Sequence, residues 1–141
     1  MHVTQTNISA QGDPNDNKPN KSSKQDDNTK NSPILPHNPV KVYIDAKVSK
    51  SDIIKDFKNV SIIYMWFNKI TGRVYVGSAV NGSKGLATYY QPSIQQNKSL
   101  IYQNILNYGH ASFSLVILEN CGNTSTISDS YRLEREKYYL D

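Results

Sequence analysis

The sequence predicts a small α/β (α+β) domain: a three-stranded sheet flanked by helices, behind a disordered polar arm. Two apolar runs, Ser61-Ile62-Ile63-Tyr64-Met65-Trp66 and Gly72-Arg73-Val74-Tyr75-Val76-Gly77, enclose Asn68-Lys69-Ile70-Thr71-Gly72, whose Thr-Gly end is a hairpin signal. A third strand-like run, Phe113-Ser114-Leu115-Val116-Ile117-Leu118, follows a strongly periodic helix, so the order is hairpin, helices, strand, helix. The first forty residues hold seven Asn, four Asp, four Lys and five Pro, with no aromatic residue. Such a stretch buries too little apolar surface to offset its ordering entropy, and residues 1–38 are expected to be disordered.

Order is expected from about Pro39, and residues 39–60 form a lead-in. Val40-Lys41-Val42-Tyr43-Ile44 alternates apolar and polar and reads as a short strand or extended segment. Residues 51–57 look helical, with Ser51 as N-cap and Ile53, Ile54 and Phe57 on one face. The hairpin of residues 62–78 opens the main domain, residues 61–141. Asn81 or Ser83 can cap a short helix carrying Leu86, Tyr89 and Tyr90, which Pro92 ends; Gly85 inside it costs about 1 kcal/mol against Ala. Ser99 opens the clearest helix, where Ile101, Tyr102, Ile105, Leu106 and Tyr108 pair at i,i+3 or i,i+4 and Gly109 provides a left-handed C-cap. After the strand at residues 113–118, residues 121–126 read as loop and a last helix starts near Ser128. Trp66 and Phe67 are expected in the core or on the sheet surface rather than as base-stacking platforms, and His110 as a cap or surface residue.

A chain of 141 residues suits one core. The arm is neutral, so the net charge of +4 belongs to residues 41–141, a balance that permits contact with a polyanion without demanding it. One cysteine, Cys121, excludes an intrachain disulfide and favours a reducing compartment. No run approaches the roughly 20 apolar residues that span a bilayer, and no membrane association is expected. The N-terminus has neither an apolar signal core nor the arginines of an import presequence.

Two tyrosines on adjacent antiparallel strands can present their phenols on one face. Ile62-Ile63-Tyr64 and Tyr75-Val76-Gly77, followed by Ser78-Ala79-Val80-Asn81, resemble the two signature motifs of the GIY-YIG nucleases. The likeness runs on through Asn97-Lys98-Ser99-Leu100-Ile101-Tyr102, Tyr108-Gly109, the strand at residues 113–118 and Leu133-Glu134-Arg135-Glu136-Lys137-Tyr138-Tyr139-Leu140. It is closest in type to fungal mitochondrial, intron-encoded homing endonucleases, and implies a mainly antiparallel sheet, DNA as partner and a mitochondrial location.

Phosphodiester hydrolysis needs a nucleophilic oxygen, a proton acceptor, positive charge on the developing phosphorane and stabilisation of the leaving alkoxide. One carboxylate-held divalent metal can supply the last two. A phenol, with a pKa near 10, needs a nearby cation or metal to act as base. The resemblance gives Tyr64 the role of proton acceptor, Tyr75 that of orienting water or phosphate, and Glu136 that of metal ligand, with Mg²⁺ as the expected ion. Helical spacing alone leaves Glu134 and Glu136 equivalent, and a solvated helix with Arg132–Glu136 as neighbours is the plain alternative. Tyr89 stands where the family has His or Tyr. Eight residues beyond Gly77, where the family carries a phosphate-contacting arginine, stands Gly85, and adjacent Lys84 is the substitute cation. Ile62 replaces the first motif's glycine and is expected to crowd its neighbour. The family's asparagine beyond the last helix lies past Asp141, which suggests truncation. The sequence therefore predicts a metal-dependent DNA endonuclease, reduced or lost in activity; the alternative is a non-catalytic remnant with weak DNA binding.

Overall fold

The structure, a computed structural model, describes residues 2–3, 38–96 and 98–140. Strands are β1 (His2–Val3), β2 (Lys41–Tyr43), β3 (Val60–Asn68), β4 (Val74–Ala79) and β5 (Phe113–Asn123). Helices are α1 (Lys50–Ile53), α2 (Gly82–Ala87), α3 (Leu100–Tyr108) and α4 (Asp129–Leu140). Short 3₁₀ turns at Thr88–Tyr90, Pro92–Gln96 and His110–Ser112 link them. The disordered arm expected over residues 1–38 lies outside the described residues apart from His2, Val3 and Asn38.

The sheet is antiparallel throughout, in the order β1-β4-β3-β5-β2. Its body has four strands rather than the expected three, and the two residues of β1 add to the outer edge of β4 at Gly77 and Ser78. The fourth strand is the lead-in. Lys41 pairs with Ile117 and Tyr43 with Leu115, which covers the β5 edge that would otherwise stand unpaired.

Strand alternation sorts β3 into two faces. Tyr64 and Trp66 join Tyr75, Ala79, Leu86, Tyr89, Ile101, Tyr102 and Leu115 in the larger core. Ile63, Met65 and Phe67 join Val74, Val76, Val116 and Leu118 beneath α4. Trp66 is 0% and Phe67 1% exposed, which decides for the core between the two places the sequence left open.

Several boundaries move. The helix expected at residues 51–57 is the shorter α1, whose N-cap is Ser49 with no side-chain cap bond; Ile53 and Phe57 still turn inward. Residues 121–123 are strand, not loop, because β5 continues opposite Val60 and Ser61 as far as Asn123. Asn81 is the cap of α2, Ser99 that of α3, and Gly109 has the expected positive φ of 82°. Ile62 does not crowd its neighbour. A Cβ on Gly82 would lie 3.0 Å from Ile62 Cδ1 and 2.7 Å from Phe57 Cβ, so the missing side chain at 82 makes the room.

Candidate active site

Tyr64 leaves the middle of β3 towards α2 and passes over Gly77, its cross-strand partner. A Cβ there would stand 2.9 Å from Tyr64 Cζ and Oη, so glycine at this motif position is a steric necessity. The Tyr64 hydroxyl hydrogen-bonds the Tyr89 hydroxyl at 2.7 Å, and both side chains are fully buried. Tyr89 is wedged in turn between Trp66 and Tyr102, at ring-centroid distances of 5.0 and 4.9 Å. Burial pushes the Tyr64 phenol upward, a shift that the Tyr89 bond opposes and the Tyr102 and Glu136 charges reinforce. Burial also raises Tyr89. As seated, Tyr64 is a neutral phenol in a hydrogen-bonded pair, and its environment moves it away from base character.

Tyr75 lies on the same face of the sheet, diagonal to Tyr64, because it pairs with Trp66 while Tyr64 pairs with Gly77. The two phenols answer to different neighbours. Burial raises the Tyr75 phenol, and the Arg73 charge partly counters it. The structure therefore joins Tyr64 to Tyr89 rather than to Tyr75.

Lys84 and Gly85 lie on α2, Lys84 exposed and Gly85 buried. With Ala79, Val80, Asn81, Thr88 and Thr124 they line a cleft of about 400 Å³. This cleft borders the position where the sequence lacks the expected arginine. Asn81 serves both as α2 cap and as a tie to Asn59, and Thr124 bonds the Val80 carbonyl, so its walls are fixed by short polar links.

Glu136 occupies the other face. Arg135 makes a two-pronged ion pair with Glu119 on β5, and the Tyr139 hydroxyl donates to the same carboxylate. These contacts fix the rotation of α4 and turn Arg132 and Glu136, one turn apart, onto β4. There the Ser78 hydroxyl donates to Glu136 Oε1 at 2.7 Å, and Arg132 Nε donates to Ser78 Oγ at 3.3 Å. Arg132 is 6% and Glu136 2% exposed, so the pair is buried and not the solvated stripe that spacing allowed. Glu134 is exposed, which separates the two glutamates that periodicity left equivalent. Ser78 and Arg132 were not singled out from sequence; the i,i+4 spacing of Arg132 and Glu136 was the available signal. Cys121 is buried and its thiol pushed up to about 11, consistent with a packing role.

Among the described residues a strand pair carries two tyrosines, a buried phenol pair ties it to the segment after α2, and a buried helix glutamate packs on the opposite face of the sheet. Compared with known protein families, residues 60–141 match the GIY-YIG catalytic domain, and the chain belongs to that family. No solved structure matches the chain. The family brings nuclease activity in general, with DNA as substrate and, as a rule, a divalent metal. Among the described residues no cluster of three or more His, Cys, Asp or Glu side chains could hold a metal ion. A carboxylate is the hard oxygen donor that suits hydrated magnesium and not a soft-ligand metal, but Glu136 is 2% exposed and would have to turn outward to meet such an ion. Among the described residues no helix is long and apolar enough to cross a membrane.

Proposed function

We propose that this protein is a DNA endonuclease of the GIY-YIG homing type, encoded within an organellar intron and acting in the mitochondrion. Its activity is lowered by the glycine at position 85. The observation that carries the reading is the cleft beside Lys84 and Gly85, whose wall at Thr88 opens the turn that carries Tyr89, the partner of Tyr64. Lys84 would meet the phosphate there as a point charge, without the fork of a guanidinium.

Within this reading Tyr64 is the proton acceptor, taking the attacking water's proton in its phenolate form, and the Tyr89 hydroxyl holds its oxygen in place. Tyr75, beside Arg73, orients the phosphate, and Glu136 is the metal ligand. The ion, when bound, supplies charge for the phosphorane and the leaving oxygen. A buried, raised phenol gains base character only when substrate or ion brings positive charge against it. Gly85 favours a second reading, a remnant that binds DNA through phosphate contacts without cutting.

Supercoiled plasmid incubated with the protein and Mg²⁺, compared with EDTA, tests both. Nicked circles that require the ion and disappear in Glu136→Gln support the endonuclease. Salt-sensitive DNA binding without nicking supports the remnant. Absence of both would end the nucleic-acid reading.

A further inference from the structure

His110 follows the glycine that caps α3 and is half-buried, engaged on two sides rather than facing solvent. Its Nε2 lies 2.7 Å from the Tyr89 carbonyl oxygen, and its ring stacks on Tyr90 at a centroid distance of 4.4 Å and an interplanar angle of 14°. A carbonyl only accepts, so Nε2 carries the proton and donates. Carbonyls at the end of a helical turn lack backbone donors, and Tyr89 belongs to such a turn, Thr88–Tyr90. Each residue of that turn has a separate task. Thr88 lines the cleft beside Gly85 and donates to the Gly85 carbonyl at 2.7 Å. Tyr89 sends its side chain inward to Tyr64. Tyr90 Oη donates to the Ala46 carbonyl at 2.6 Å and ties in the lead-in. His110 holds the middle residue by its carbonyl and the last by its ring, so a rotation of the turn that carried Tyr89 away from Tyr64 would break both contacts.

We propose that His110 is a positioning residue for the Tyr64–Tyr89 pair, clamping the turn after α2 so that the Tyr89 hydroxyl stays within bonding distance of Tyr64. Its catalytic consequence rests on the reading of Tyr64 as the proton acceptor. The histidine acts through the Tyr89 backbone and not on the reacting atoms. An imidazole keeps its Nε2 proton in the neutral tautomer that donates here and in the charged form, so the clamp holds on both sides of the ring's titration.

The test reads the coupling between the two phenols, which does not depend on nicking. Urea denaturation of Tyr64→Phe, Tyr89→Phe and the double variant, in the full chain and again in each His110 background, measures how far the two losses fall short of adding. His110→Phe keeps a ring to stack on Tyr90 and removes the donor, whereas His110→Gln keeps a donor. The coupling is expected to vanish in His110→Phe and to persist in His110→Gln. Nicking with Mg²⁺ should fall by up to about 10²-fold in His110→Phe alone. Should His110→Phe not fold, His110→Ala is read in its place, with the same loss expected. A folded His110→Phe that is less stable yet keeps the parent's coupling makes the histidine a packing residue and overturns the proposal. Equal loss of coupling in His110→Phe and His110→Gln takes the role from the hydrogen bond and overturns it as well. Strict additivity in the parent would leave the clamp nothing to hold. If Tyr64→Phe nicks as the parent does while the coupling follows His110 as expected, the clamp stands and the reading of Tyr64 as proton acceptor falls.

Discussion

The hydroxyls of Tyr64 and Tyr89 meet at 2.7 Å inside the core and tie the first motif strand to the segment that follows α2. Neither phenol has solvent to fall back on, since both side chains are fully buried. The pair is therefore a structural joint as well as a candidate for chemistry, and substitutions there have two separable readouts.

Tyr64→Phe or Tyr89→Phe strands the remaining buried hydroxyl. Each is expected to cost about 1–3 kcal/mol of stability, and the double variant less than the sum, because no orphan then remains. Urea denaturation of the three variants measures it. Strict additivity would mean that the two hydroxyls do not bond. Nicking should fail in Tyr64→Phe.

Gly77→Ala places a Cβ 2.9 Å from Tyr64 Cζ and Oη. The ring must shift and lose its alignment with Tyr89. Overpacking of this kind costs roughly 1–3 kcal/mol, and nicking should drop as in Tyr64→Phe. A parent-like melting curve would show that the ring can move aside cheaply.

Glu136→Gln should abolish nicking, whereas Glu134→Gln, exposed on α4, should leave both nicking and stability near the parent. A single nicking assay with both variants and Mg²⁺ separates them. The reverse ranking would move the ligand to Glu134.

Gly85→Arg should raise nicking, because residue 85 lines the cleft and a guanidinium there supplies a fixed charge. One such contact is typically worth about 10²–10³ in rate. Gly85→Ala isolates the helix effect of about 1 kcal/mol. Equal rates in the Arg and Ala variants would remove the phosphate contact from this site.

The Arg135 hydrogen bonds hold the Glu119 carboxyl below its usual range, with burial opposing them. A carboxylate depressed in the folded state adds stability that is present above its unfolded-state pKa and lost as pH falls through the folded one. Denaturation midpoints should thus hold steady down to about pH 5 and fall below about pH 4. Glu119→Gln should start lower and fall less steeply. An unchanged slope would show that this pair contributes nothing to acid stability.

The hairpin, both caps of α3 and the inward set of apolar residues were legible because each rests on local signals: strand alternation, a serine before a periodic run, a glycine after it. What was missed depends on partners distant in sequence. The lead-in, read as a short strand or extended segment, joins the sheet as β2 because β5 offers it an edge. Ser78 enters the sequence reading only as part of the run after the second motif, because its contacts with Arg132 and Glu136 come from a helix 54 and 58 positions along the chain. Tyr64 and Tyr75 were expected to present their phenols together. The register makes them diagonal, and Tyr89, 25 positions along the chain from Tyr64, takes the place beside it.

Ile62 and Gly82 share one space, but they cannot trade volume. Shortening Ile62 would open a void in a fully buried part of the core. A larger residue at 82 could not refill it, because Phe57 Cβ at 2.7 Å and the Phe57 carbonyl at 3.0 Å would still meet the new Cβ. Restoring glycine at 62 to rebuild the first motif therefore costs stability that residue 82 cannot return.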